Sequence, residues 1–334
     1  PGSNPGRLPA GLCAPLRRGV RLIRLPYRPL AQRPSVMVPM WGRAGPGPRA
    51  NQQSGRNAPR SEETRMSNLP PYQHRSRSIA GCVAFVTGAA SGMGRATAHL
   101  FAREGAKVAI SDLTQEGVDA VAAEIAEARR DDPSIGEVIA FAMDVSKLDA
   151  IQAGIKRATD HFGGLDILVN NAGFSAWAPI DEPDAYETQW ARALDGMLTA
   201  HQRTIRTALP WLRKSENPRI VNIASTEGLG ATPGNTAYVA AKHGVIGLTR
   251  GFACDLGPEG ITVNAICPGP IRSGITERIP EEHKVIYAKR RTALKRYGDP
   301  EDIANGVLSF ALPSASYITG TALPVDGGLT IRRA

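Results

Sequence analysis

The order of segments along the chain predicts an α/β protein built on a doubly wound parallel sheet. Short apolar runs of strand length alternate with longer helical segments from Cys82 to Val325, the pattern of repeated strand–helix–strand units. The first apolar run, Cys82-Val-Ala-Phe-Val-Thr87, leads into a glycine cluster, Gly88-Ala-Ala-Ser91-Gly92-Met93-Gly94, and then into a helix. A later run, Ile220-Val-Asn-Ile-Ala224, ends at Ser225, where open α/β sheets bind their ligands.

The elements follow in order. A helix is expected from about Met93 to Glu104, then a strand over Lys107–Ser111 that ends at Asp112. A helix over Gln115–Arg130 precedes a strand at Glu137–Ala142, which ends at Asp144-Val145. A helix near Lys147–Phe162 leads to the strand Leu165–Val169, closed by Asn170-Asn171-Ala172-Gly173. Tyr186–Lys214 reads as one long helix, and Arg219–Ala224 as the strand before Ser225. A helix carrying Tyr238 and Lys242 runs to about Leu256, and the strand Ile261–Ile266 enters Cys267-Pro268-Gly269-Pro-Ile271. Residues 272–298 are expected to form a small helical lid. A helix opens at Asp299-Pro300-Glu301, with proline in its first turn, and a last strand near Ala322–Val325 ends in Asp326-Gly-Gly.

The chain has 334 residues and a net charge of +9, unevenly spread. Residues 1–79 carry +12 and residues 80–334 carry −3, so the basic balance lends no support to nucleic-acid binding by the folded part. The first segment is rich in Pro, Gly, Arg and Gln with few large apolar residues, and reads as a disordered basic extension. Pro1-Gly-Ser reads as an expression scar; an over-extended start with Met66 as the true beginning is preferred to organelle targeting. Residues 80–334 form the expected catalytic domain. Cysteines 13, 82, 254 and 267 have neither paired nor metal-type spacing, so no disulfide and no metal site is expected. No apolar run reaches the ~18 residues of a membrane span.

Tyr238 and Lys242 are four apart, which places both side chains on one helix face. A cation beside a phenol favours the phenolate, and lowering a tyrosine from pKa ~10 to ~7 takes roughly 4 kcal/mol. The glycine cluster between strand and helix permits a tight turn and close backbone approach to a pyrophosphate at a helix amino end. Asp112, eighteen residues past Gly94, is placed to accept from a ribose 2′-OH and to repel a 2′-phosphate; its other reading is a helix N-cap.

Thr87-Gly88-x3-Gly92-x-Gly94, Asn170-Asn-Ala-Gly173, Ser225, Tyr238-x3-Lys242 and Pro268-Gly269 together resemble the short-chain dehydrogenase/reductase family over about residues 80–329. The resemblance implies a single Rossmann-type domain with a seven-stranded sheet, a nicotinamide cofactor, and a homodimer or homotetramer packed through two long central helices. It implies Tyr238 as general acid/base, Lys242 as its electrostatic partner and holder of the nicotinamide ribose, and Ser225 as hydrogen-bond donor to the substrate oxygen. It further implies Gly88, Ser91, Gly92, Met93 and Gly94 around the pyrophosphate and Asp144 and Val145 at adenine. Asn171, Ala172 and Gly173 would border the cofactor, and Pro268, Gly269, Ile271 and Ser273 would lie along the nicotinamide. Asn170-Asn171 reads equally as a tie between neighbouring strands, and Asp326-Gly-Gly as a turn.

Ser91 and Asp112 favour NAD over NADP. The expected activity is hydride transfer between NAD(H) and a secondary alcohol/ketone, in a cytoplasmic enzyme acting on small molecules. Two alternatives stand beside it: an NADPH-dependent 3-oxoacyl-thioester reductase, and a non-catalytic dinucleotide-binding regulator. The latter is motivated by Met197, which stands seven residues after Trp190, where the family often has Asn. The lid residues Lys284, Lys289, Arg290, Arg291, Lys295 and Arg296 read as an anion-attracting cluster, as a solvated helix face, or as partners for acids elsewhere on an oligomer. Glu227, Trp177 and Tyr287 read as candidates for the substrate pocket or as surface packing.

Overall fold

Strand residues alternate between two sheet faces, and both faces are buried, so each strand needs apolar residues on both sides. In a computed structural model, which describes residues 72–333, the strand β1 (Val83–Thr87) shows this directly. Ala84 and Val86 join one core cluster with Phe101, Val121 and Phe310, while Val83 and Phe85 join the other with Ile155, Ile205 and Leu256. The extension expected over residues 1–79 lies outside the described residues as far as residue 71. Ile79 is fully buried, and Ser76 O accepts from Ser314 N at 2.9 Å.

The remaining strands are β2 (Lys107–Asp112), β3 (Val138–Ala142), β4 (Ile167–Asn170), β5 (Arg219–Ile223), β6 (Thr262–Pro268) and β7 (Ala322–Val325). They form one parallel seven-stranded sheet in the order β3-β2-β1-β4-β5-β6-β7. The order reverses between β1 and β4, so the crevice outside the carboxyl ends of these two strands is the topological switch point. The helices are α1 (Gly92–Arg103), α2 (Gln115–Asp131), α3 (Leu148–Phe162), α4 (Pro183–Leu194), α5 (Ala200–Leu212), α6 (Thr236–Leu256), α7 (Glu281–Arg291) and α8 (Pro300–Ala311). The expected proline start of α8 is reinforced by a capping box between Asp299 and Asp302. No helix among the described residues is long and apolar enough to cross a membrane.

Two expectations are corrected. The single helix over Tyr186–Lys214 is α4 and α5 joined by a π-helical turn, Asp195–Thr199. Gly196 lies in this turn against the Phe174 ring, and an added Cβ there would come within 2.8 Å of the ring. The lid over 272–298 is helical only in α7; its return passes through Lys295 at φ 57 and an Ile271–Gly298 bridge.

A buried polar ladder ties the carboxyl ends of β4 and β5 to the helices on either side. Thr204 Oγ1 donates to Asn170 Oδ1 at 2.6 Å, Asn170 Nδ2 to Asn222 Oδ1 at 2.9 Å, and Asn222 Nδ2 to Thr249 Oγ1 at 3.0 Å. All four residues are buried. Replacing Asn222 with alanine strands the Asn170 amide in a dry environment, at a cost of about 2–4 kcal/mol. Urea unfolding of Asn222→Ala is expected to show a lower midpoint with an unchanged slope; an unchanged midpoint would show that the ladder does not hold the sheet.

Candidate active site

The turn after β1 is shaped by backbone that leaves no room for side chains. Gly88 has φ +67, and an added Cβ would lie 2.6 Å from Ala172 Cα; at Gly94 it would lie 2.1 Å from Gly88 O. Thr87 Oγ1 accepts from Asn171 N at 3.0 Å and Ala172 N at 3.1 Å, and Asn171 Nδ2 donates to Thr87 O and Gly88 O. Asn170 and Asn171 are thus strand ties, and they draw the turn after β4 against the turn after β1.

Across the same crevice, an added Cβ at Gly92 (φ +52) would approach Ser273 Cβ at 3.3 Å, so two motifs 181 positions apart in sequence face each other. Exposed Ser91 precedes α1 without a side-chain cap bond, and the first turn of α1 has no acidic residue. Met93 packs on the core with its side chain. This cradle of glycines at a helix amino end, which any Cβ would obstruct, fits a pyrophosphate.

Asp112 ends β2 with both oxygens turned to this rim. Its Oδ2 accepts from Ala90 N at 2.9 Å and its Oδ1 from Leu113 N at 2.7 Å. Asp144 Oδ1 accepts from Ser146 N at 2.8 Å, and Val145 packs on the core edge beside it. Pro268 ends β6, and Gly269 is pressed against Asp326, where a Cβ would meet Cα at 2.6 Å. Ile271 turns its side chain into the core. Asp326 caps its own turn through Gly328 N, Thr330 N and Thr330 Oγ1.

At the end of β5, buried Ser225 begins a short 3-10 turn, its Oγ accepting from Glu227 N at 3.1 Å. The Ser225 side chain faces the Tyr238 phenol of α6 and favours its ionised form. Lys242, one turn on, is buried, donates from Nζ to Ile223 O at 2.8 Å, and lies 5.6 Å from the Tyr238 ring centre. Burial raises the Tyr238 phenol above its ordinary value; Ser225 opposes this, and the Glu227 charge adds to it. Burial also lowers the Lys242 ammonium to about 8. Burial sets the direction of the phenol's shift, and the lysine ammonium is engaged by a backbone carbonyl.

Met197 is fully buried in the π-helical turn. A Cβ added at Gly173 would lie 3.7 Å from Lys242 Nζ and 3.8 Å from Met197 Sδ, so the lysine and the thioether flank the same glycine. The neighbouring Asp195 turns away to Arg203 at 3.0 Å. Glu227 holds its own loop through Thr232 N and Oγ1. Trp177, 61% exposed, packs its indole on Gly234 just before α6. In the lid, Lys284 pairs with Glu281, and Arg296 with Asp302 and Asp299, so part of the basic cluster has acidic partners outside it.

The sequence reading passed over His201. It is 2% exposed, in a stripe with Met197, Ile205, Ala208 and Leu212, where a lone histidine among apolar residues at helical spacing was the available signal.

Comparison with known proteins bears on this site as a whole. A family model described as Enoyl-(Acyl carrier protein) reductase matches residues 88–330. The chain belongs to the short-chain dehydrogenase/reductase family. It is 36% identical over 253 residues to a 3-oxoacyl-[acyl-carrier-protein] reductase of Thermotoga maritima, covering 76% of this chain and 99% of the relative. It is 38% identical over 250 residues to a 3-alpha-(or 20-beta)-hydroxysteroid dehydrogenase of Mycobacterium tuberculosis, covering 75% and 90%. Among solved structures it is similar to levodione reductase, with TM-score 0.71 and 32% identity over 76% of this chain and 99% of that one. Members of this family bind a nicotinamide dinucleotide and act on CH–OH groups, oxidising them or forming them from carbonyls.

Burial lowers the His201 imidazole to about 3, with the Lys242 charge acting in the same direction and the Asn170 backbone against it. The folded value lies below the unfolded 6.5, so the unfolded chain takes up a proton first as pH falls. This group's contribution is complete above pH 6.5 and is lost progressively toward pH 3, at about 1.4 kcal/mol per pH unit. Unfolding free energies of native protein and His201→Leu, compared between pH 7 and 5, are expected to differ by this slope. Parallel curves would refute a buried neutral imidazole.

Proposed function

We propose that residues 80–334 transfer hydride between NAD(H) and a secondary alcohol/ketone pair, with Tyr238 as general acid/base. The observation that carries this is the convergence of Ser225, Tyr238 and Lys242 at the end of β5, beside the glycine cradle. The bound nicotinamide supplies the hydride acceptor or donor. Tyr238, protonated at neutral pH, gives its proton to a ketone oxygen, and as phenolate takes it from an alcohol. Ser225 Oγ hydrogen-bonds the same oxygen, where charge develops. Lys242 moves from the Ile223 carbonyl to hold ribose hydroxyls and steady the phenolate.

Gly88, Ser91, Gly92, Met93 and Gly94 hold the pyrophosphate through backbone N–H groups. Asp144 and Val145 border adenine. Asn171, Ala172 and Gly173 form the adjoining wall, and Pro268, Gly269, Ser273 and the backbone of Ile271 line the nicotinamide side. Asp112, with the apolar Leu113 after it and Ser91 across from it, supports NAD over NADP: the carboxylate accepts from a ribose hydroxyl and repels a phosphate. The relation to 3-oxoacyl-[acyl-carrier-protein] reductase favours an NADPH-dependent thioester reductase as the second reading. We also read the chain as a cytoplasmic homodimer or homotetramer.

NADH and NADPH fluorescence titrations, run with a panel of secondary alcohols and ketones, separate these readings. NADH is expected to bind more tightly, and Asp112→Ser to shift the NADPH/NADH ratio by about tenfold or more toward NADPH, equivalent to ~1.4 kcal/mol. Native preference for NADPH would move the thioester reductase to first place. Tyr238→Phe is expected to abolish turnover while leaving dinucleotide binding intact; turnover that survives it removes Tyr238 from the chemistry. Removal of residues 1–71 is expected to leave both measurements unchanged.

A further inference from the structure

Beneath the turn after β4 lies a small cavity with room for about one water molecule. Thr87, Asn170 and Ala172 line it from the strand ends, and Gly196, His201 and Thr204 from the helical side. The His201 ring is 2% exposed, and its Nε2 has no hydrogen-bond partner. Buried polar nitrogens are rarely left so, and an unpaired one beside a polar void is the usual mark of an ordered water.

Thr204 supplies a second partner. Its hydroxyl has a single proton and stands 2.6 Å from Asn170 Oδ1, 2.8 Å from Ala200 O and 3.0 Å from His201 O. Its oxygen keeps acceptor capacity whichever of these receives the proton. The π-helical turn widens the helix at this place, with Gly196 on the wall.

We infer that this cavity is a water site and that His201, through the water, positions the turn Asn170–Gly173. Thr87 grips that turn from the β1 side by accepting from Asn171 N and Ala172 N. On the helical side Thr204 holds Asn170 directly, and the water extends this support to the part of the turn above His201. His201 and Thr204 both lie on α5, and Asn170 and Ala172 form the opposite wall; a water that bridges the two walls transmits position nearly as well as a direct bond. The positioning half rests on the proposed cofactor reading, because this turn borders the dinucleotide there; the water half does not.

The test uses the full chain with His201→Leu and His201→Gln. A high-resolution crystal structure of the native chain is expected to show one water within hydrogen-bonding distance of His201 Nε2. At neutral pH, His201→Leu is expected to melt at a lower temperature than the native protein, because it strands the water. It is also expected to weaken binding of the preferred dinucleotide by about fivefold. His201→Gln, which keeps a polar terminus, should recover most of both losses. A dry cavity, with His201→Leu melting higher because an orphan nitrogen is gone, overturns the inference. Water density together with unchanged dinucleotide affinity in His201→Leu overturns the positioning half. Should the native chain bind neither NADH nor NADPH, the cofactor reading fails and the positioning half with it, while density and melting still decide the water.

Discussion

The two asparagines at the ends of β4 and β5 are the constraint on which the site depends. A parallel sheet holds its strands through backbone hydrogen bonds, but the ladder ends where the strands turn out toward the crevice. At that point Asn170 and Asn222 continue the pairing with side chains and extend it to Thr204 and Thr249. Beyond them the chain turns: Asn171–Gly173 crosses to the glycine turn, and Ser225 starts the 3-10 turn that meets Tyr238. The distance between the turn Asn171–Gly173 and Ser225 is therefore held by one buried amide pair together with the backbone ladder of β4 and β5. Amide pairs in a dry interior are stiff because each unmade bond is costly.

The π-helical turn answers a second need on the same side of the sheet. A regular helix from Pro183 to Leu212 would keep one residue spacing throughout. The wider turn at Asp195–Thr199 brings Gly196 against Phe174, and Met197 and Lys242 to the two flanks of Gly173. A thioether is a weak acceptor, and the hydrogen bond that the lysine makes is to the Ile223 carbonyl.

Most of the architecture was legible because its determinants are local. Buried parallel strands demand continuous apolar runs, and Gly88 and Gly94 after β1 are required by contacts under 3 Å that a Cβ would not survive. The order of motifs then located Ser225, Tyr238 and Lys242. What could not be read depends on packing between distant segments. Nothing near residue 196 announces a π turn, and the Phe174 ring against which Gly196 packs lies twenty-two positions away. The approach of Gly92 to Ser273 needs the completed sheet, whereas Lys284 and Arg296 pair with acids three to six residues away. His201 escaped notice for the same reason: its meaning lies in the void beside it.

The titratable groups around the crevice share one electrostatic condition. Burial raises Tyr238, lowers Lys242 and lowers His201, so each is driven toward its neutral form. A site in this state is poor at holding isolated charge but strengthens any charge pair formed within it, because the same desolvation that penalises an ion amplifies its attraction to a counter-ion. The phenol and the ammonium are one helical turn apart, and burial shifts each toward its neutral form. Charge introduced at the crevice therefore acts on both at once: a cation near the phenol lowers its proton affinity, and phenolate formation in turn raises that of Lys242. The Tyr–Lys spacing read from the sequence is in this sense conditional. It provides coupling between two buried groups, while the protonation state of the pair is set by what else the site contains.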